Sequence, residues 1–350
     1  MNDKKEWLSR AECSALRGLA ILGIMLHNYC HWLAIAVKEN EYTFNIGNSR
    51  RLWYVLTNPD AYLPVHLVSY FGHYGVPVFL FLSGFGLVMK YEQGGGELPV
   101  RAFVRRQYTK LFRMMIVGLT AFLIVDVITP GSFTYHAENI IAQLLMVINL
   151  LANPDRIIWP GPYWFFGLMM QLFVVWRLLI FRRHWAMMAA LVACCWLLQA
   201  SCGPLDEELN RLRYNFVGGI LPFCAGIALA RLTPPDSFSR ITRYHWLAIA
   251  VLSSALTLAL CFNFHTWLWA PAAVILTSVA AIKMLPTTVL RPMIWTGAIS
   301  AAMFVTHPIL RKIFIPISRR GDIYDGLMLY VVTAVVVAWL LDKMVFESKK

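Results

Sequence analysis

Charge is scarce in this sequence: only 14% of its 350 residues are Asp, Glu, Lys or Arg, and 59% are hydrophobic. A water-soluble domain carries nearer a quarter charged residues, so a soluble globule is excluded. No run of five or more basic residues occurs, and the net charge of +12 is dispersed between apolar stretches, which argues against nucleic acid as a partner. The cysteines (Cys13, Cys30, Cys194, Cys195, Cys202, Cys224 and Cys261) are odd in number, sit mostly in apolar segments and have no CxxC spacing. They read as small buried hydrophobes, with neither a zinc site nor a redox pair among them. No repeat is present, and Gly94-Gly95-Gly96 is the single low-complexity patch. The N-terminal MNDKKEWLSR precedes an apolar stretch without an A-x-A cleavage site, which reads as a first span and not a removable signal.

What the sequence has in abundance is long apolar stretches. A transmembrane helix takes roughly 20 such residues, and about ten stretches qualify: 14–37, 65–89, 111–129, 162–181, 185–201, 214–230, 246–263, 267–285, 293–310 and 326–345. The expectation is an all-α polytopic integral membrane protein, one domain over 1–350. Segment 139–152, punctuated by Pro130-Gly131 and Asn153-Pro154, is too short to cross and reads as an interfacial or re-entrant helix. Lys and Arg collect at the termini and near 90–113, 182–184, 231–245 and 283–291, whereas the alternate connections hold carboxylates such as Glu39, Glu41, Asp60 and Asp206. The positive-inside rule then puts both termini in the cytoplasm, with a cytoplasmic tail 1–13, an extracytoplasmic loop 38–64 and a basic cytoplasmic loop 90–110.

Ionisable residues inside a bilayer are costly and mark function. Those within the spans are Arg17, His27, His31, His73, Asp126 and His307. The near absence of acids argues against a cation or proton carrier, and favours an anionic ligand. At about 1.5 Å of rise per residue, Arg17, Ser83, Gly84, Arg105, Arg106, Lys110 and Arg113 fall at one level near the cytoplasmic face, and His27 and His307 at another in the outer half. Plainer readings stand beside these. The basic cluster also serves as topology determinant and lipid-phosphate anchor, Arg17 can snorkel, and His307-Pro308 can be a helix kink. His73, His66 and His265 read as structural. His27 and His31, spaced i, i+4, lack a third ligand, so no metal is expected.

Several segments together resemble the membrane acyltransferase-3 family, whose members move acyl groups onto extracytoplasmic glycans and related acceptors. LRGLAILGIMLHNY is similar to the family's first-span pattern of an Arg and a His about three turns apart, and GVPVFLFLSGFGLVMK to its glycine, aromatic run and Ser-Gly-Phe. FVRRQYTKLFR, YWFFGLMMQLF, LPFCAGIALAR and WTGAISAAMFVTHPIL extend the match along nearly the whole chain. Nine residues separate Arg17 from His27 where the family usually has ten, which turns the imidazole by about 100° on an ideal helix and makes His31 a conceivable substitute.

The resemblance implies an O-acyltransferase of the plasma or inner membrane using acyl-CoA, commonly acetyl-CoA, with a glycan or other hydroxyl-bearing acceptor and membrane lipid as partners. His27 is then the general base, with Arg17, Ser83 and His307 as further catalytic candidates. The CoA phosphates would be held by Arg17, Arg105, Arg106, Lys110 and Arg113, beside Ser83 and Gly84. Ser83 and the amides at Gly84 are also the expected oxyanion donors. The competing expectation is a transporter of a glycan precursor or small anion, although no paired, interrupted half-repeats are evident.

Overall fold

The computed structural model describes residues 6–95, 99–235, 238 and 240–346. Parts of the tail 1–13 and of the loop 90–110 therefore lie outside the described residues. The described chain folds into helices without a strand. In chain order these are α1 (Arg10–Cys30), α2 (Ile46–Thr57), α3 (Leu63–Glu92), α4 (Val100–Ile128), α5 (Ala137–Leu144), α6 (Gly161–Ile180), α7 (Trp185–Ala200), α8 (Glu207–Tyr214), α9 (Phe216–Arg231), α10 (Arg243–Leu260), α11 (Ala270–Met284), α12 (Thr287–Ala298), α13 (Ser300–Arg319) and α14 (Ile323–Met344).

Helix α1 starts at a reciprocal cap, in which Glu12 N–H donates to Ser9 Oγ and the Ser9 N–H donates to the Glu12 carboxylate. The same carboxylate pairs with Lys283 at 2.7 Å, fixing the start of α1 to the end of α11. Further along, Tyr29 stacks on Tyr330, with centroids 4.6 Å apart, and the Tyr330 hydroxyl donates to the Met25 carbonyl. Helices α3, α12, α13 and α14 all pack on α1, which is thereby enclosed.

The closest crossings are made by glycine. A Cβ on Gly84 would overlap the Phe223 carbonyl, and one on Gly226 would overlap that of Phe81, so α3 and α9 cross backbone to backbone. A Cβ on Gly72 would overlap the Gly23 carbonyl and the His27 side chain, which is why α3 can lie directly against the second half of α1.

Among the described residues, five helices are long and apolar enough to cross a membrane: α3, α4, α6, α10 and α14. Two bent pairs, α8 with α9 (44°) and α12 with α13 (73°), raise that to as many as seven. The chain is thus a multi-pass membrane protein. Its outward faces are apolar, with Ile128 on α4, Leu252 on α10 and Met328 on α14 each more than 60% exposed, as lipid-facing side chains are. The remaining apolar stretches of the sequence are helices too. However, α7 and α11 are short, and α1 is interrupted by Arg17, His27 and Asn28.

In four stretches the structure is more specific than the sequence expectation. The basic segment expected as loop 90–110 is largely helix, because Arg, Lys and Gln are good helix formers and Pro99 provides the start. Loop 38–64 contains α2, capped by the Asn45 side chain accepting from Gly47 N–H and burying Ser49, Leu52 and Val55 on one face. The stretch 293–310 is broken after Ala298, where Gly297 packs against the Ser14 carbonyl and the chain bends by 73° between α12 and α13. Segment 139–152 forms the short helix α5 followed by a single turn at Ile148–Leu150.

Candidate active site

Two cavities open at opposite ends of α1. Near its amino-terminal end lies a large one of about 1830 Å³, walled by α3, α4 and one side of α1. Arg17, Ser83, Arg105, Arg106, Lys110 and Arg113 line it, joined by Lys90 and Arg101, which the sequence reading did not single out. Among the described residues, no carboxylate lines it. This density of cation follows from helix periodicity: the pairs Arg101 and Arg105, Arg106 and Lys110, and Lys110 and Arg113 are three or four residues apart, which puts each pair on one side of α4.

Within this cavity the two small residues behave differently from expectation. Gly84 faces α9, packed on Phe223, whereas Gly86 is exposed to the cavity with nothing within 4 Å of a built Cβ. Ser83 lines the cavity, but its hydroxyl donates to the Phe79 carbonyl at 2.8 Å, one turn back in the same helix. Its one proton is therefore engaged, and serving as an oxyanion donor would require that bond to break.

The second cavity, of about 310 Å³, lies at the carboxyl-terminal end of α1. His27, His31 and His73 line it together with Glu41, Asn28, Asn40, Asp155 and Arg311, and aromatic walls come from Trp32, Tyr42, Trp159, Trp164, Phe165, Tyr214 and Phe304. The His27 ring lies 5.1 Å from His31 and 5.4 Å from His73, centroid to centroid. Both imidazoles that the nine-residue spacing left in competition thus share one pocket, being a single turn apart on α1.

His27 is 8% exposed, and its Nδ1 lies 2.8 Å from the Ser69 carbonyl oxygen. A carbonyl only accepts, so Nδ1 carries the proton and Nε2 is left with its lone pair. This is the tautomer a general base needs. Gly72 makes the contact possible, since the absence of a side chain there lets α3 bring Ser69 and His73 against His27.

His73, expected to be structural, is 2% exposed and lies 3.3 Å from a Glu41 carboxylate oxygen. Neither residue is marked by spacing in the sequence. His73 is 46 positions from His27 and Glu41 lies in a loop, so only the Gly72 and Gly75 flanks of His73 hint at a close helix crossing. Burial pushes the Glu41 carboxyl above the usual carboxylate range, while the nearby His27 and Arg213 pull the other way.

His307 is fully buried, and neither of its ring nitrogens has a hydrogen-bond partner among the described residues. It lines neither cavity, standing behind Phe304 at a ring distance of 6.1 Å. Asp126 is likewise fully buried. Its carboxylate pairs with Lys312 and accepts from Phe133 N–H at 2.8 Å, the Tyr135 hydroxyl at 2.9 Å and the Trp159 indole at 3.4 Å. Through the last of these it fixes a wall of the histidine cavity. Among the described residues no group of three His, Cys, Asp or Glu side chains is arranged to hold a metal ion.

A thin apolar layer separates the cavities. Phe79 and Val76, one turn apart on α3, face the basic and the histidine cavity respectively. An arrangement of phosphate-matching cations on one side, an imidazole with a free lone pair on the other and apolar side chains between them suits group transfer between two ligands arriving from opposite ends. No curated protein and no solved structure matches the chain. Residues 11–343 match the acyltransferase-3 family, described as an acyltransferase domain. With almost its whole length matched, the chain belongs to the acyltransferase-3 family of membrane acyltransferases.

Proposed function

We propose that the protein transfers an acyl group, acetyl in the simplest case, from acyl-CoA in the basic cavity to a hydroxyl of a glycan or other acceptor in the histidine cavity. The observation that carries this reading is the pair of chemically opposite cavities at the two ends of α1. Seven cations, with no carboxylate lining the cavity among the described residues, match the phosphates of CoA. The pantetheine arm, thin and nearly neutral, would extend along α3 past Phe79 and present the thioester near His27.

His27 Nε2 accepts the proton of the acceptor hydroxyl as its oxygen attacks the thioester carbonyl. The tetrahedral intermediate then expels the CoA thiolate, which takes the proton back from His27, so the products are an ester and free thiol. The Ser69 carbonyl keeps the base in the required tautomer. Glu41, beside His73, supplies negative charge near the imidazolium that forms transiently. Arg17 lies ten residues before His27, roughly 15 Å along the axis, and belongs to the nucleotide side.

The distribution of Lys and Arg supports placing the basic cavity and both termini on the cytoplasmic side of a plasma or inner membrane, where acyl-CoA is made. The transporter reading is not favoured by membership of an acyltransferase family. The test is transfer of radiolabelled acetyl from acetyl-CoA to membrane glycans in membranes carrying the wild-type chain, His27→Ala or Arg17→Ala at matched expression. Loss of about 10²–10⁴ in rate for His27→Ala is expected. Full activity in that variant moves the base to His31, and absence of transfer by the wild type overturns the reading.

A further inference from the structure

Arg311, on α13, is 5% exposed and lines the histidine cavity. Its five N–H donors have one weak bond among the described residues, from NH1 to the Asn28 carbonyl at 3.4 Å, and no carboxylate pairs with it there. The guanidinium stacks on Trp32 at 4.9 Å from the ring centroid, on a ring that Arg319 also approaches at 5.5 Å. The other ionisable groups facing the cavity are His27, His31, His73, Glu41 and Asp155. The Glu41 carboxylate lies 3.3 Å from His73 Nδ1 and in the field of the Arg213 guanidinium, while Arg311 is not among the groups that act on it. Asp155 is exposed at the rim, where solvent screens it.

A buried cation without an anionic partner is costly, and a pocket that keeps one gains when a ligand supplies the missing charge. Arg311 contacts Asn28 in the last turn of α1 and Trp32 just after that helix, both beyond His27. It is therefore placed to hold a part of the acceptor other than the hydroxyl that His27 deprotonates. Resting on the acyl-transfer reading above, we infer that the acceptor of this chain carries an anionic group, a carboxylate or a phosphate, which Arg311 binds within the histidine cavity and which decides acceptor choice. The aromatic walls cover the apolar faces of the same ligand, and the planar guanidinium receives two oxygens of the anion side by side.

The experiment is equilibrium binding to the detergent-purified full chain of three probes that share one ring: methyl β-glucoside, methyl β-glucuronide and methyl β-glucoside 6-phosphate. The wild type is expected to bind one or both anionic probes at least tenfold more tightly than the neutral one, and the glucuronide and phosphate arms tell the two anions apart. Arg311→Gln should reduce the preference to twofold or less, and Arg311→Lys should keep part of it. Equal binding of all three probes, no binding of any, or a preference that survives in Arg311→Gln overturns the inference. The wild-type comparison stands even if the glutamine variant does not fold. Acetyl transfer is measured separately, so its absence with the anion preference intact counts against the reaction, and its presence without that preference counts against Arg311.

Discussion

The rings of Phe79 and Phe165 meet edge to face, with centroids 6.4 Å apart and planes inclined at 71°. Phe79 belongs to the wall of the basic cavity and Phe165 to that of the histidine cavity, so this contact is the boundary between the two. On the proposed reading, an acyl group passing from one to the other would part these rings. Phe79→Trp, which thickens the boundary, is expected to lower acetyl transfer tenfold or more while leaving acetyl-CoA binding within a factor of two. Phe79→Ala should raise acetyl-CoA hydrolysis without acceptor, because water gains the same route. Unchanged transfer and hydrolysis in both variants would remove this contact from the path.

On the proposed reading the cations of α4 hold the donor through charge, so their effect should depend on its nucleotide end. Arg106→Glu with Lys110→Glu is expected to raise KM for acetyl-CoA more than tenfold, with kcat altered less than threefold. Acetyl-pantetheine, lacking the nucleotide, should show no such change. Wild-type KM for acetyl-CoA should also climb with ionic strength, since exposed charges are screened over about 10 Å at 0.1 M salt.

Asp126 and Lys312 form a buried pair whose loss is felt in two places. Removing the carboxylate as Asp126→Ala leaves Lys312 without its counter-charge and is expected to cost about 3–5 kcal/mol of stability, read from unfolding in detergent. The milder Asp126→Asn keeps the shape and weakens the hold on Trp159. It should raise KM for the acceptor and leave KM for acetyl-CoA unchanged. Equal shifts in both would indicate general loosening of the bundle.

Glu39, in the segment after α1, is 1% exposed, and burial pushes its carboxyl from near 4.5 up to about 8. The folded state thus holds this proton more tightly than the unfolded chain. Its contribution to stability is present at low pH and is lost as pH rises through about 8. Tm of the wild type should accordingly fall between pH 6 and pH 9, and Glu39→Gln should flatten that decline and be the more stable protein at pH 9. Parallel Tm curves for the two would show that Glu39 is ionised in the fold at neutral pH.

Parts of the site were legible because they sit at helical spacing on one element. Arg17 and His27 lie ten residues apart on α1 and line different cavities, and the α4 cations line one cavity together. The contribution of α3 was not legible. Ser69 and His73 reach His27 only because Gly72 removes the side chain that would hold the helices apart, and no periodicity marks that. Ser83 looked like a free hydroxyl in its motif, yet its proton is spent on the Phe79 carbonyl, a local bond whose choice depends on the side-chain rotamer.

Composition alone determined that this is a helical membrane protein, because 59% hydrophobic residues with so few charges can be buried only by lipid and by one another, with every backbone polar group paired inside a helix. The motifs added the family, and periodicity added where most helices run. Tertiary structure decided which polar side chains meet. The approach of α3 to α1, the break between α12 and α13, and the placement of Glu41, Asp155 and Arg311 around His27 depend on contacts between residues far apart in sequence. Such contacts are fixed by close packing of small residues and by the need to seat each buried polar group, and neither leaves a repeating mark along the chain.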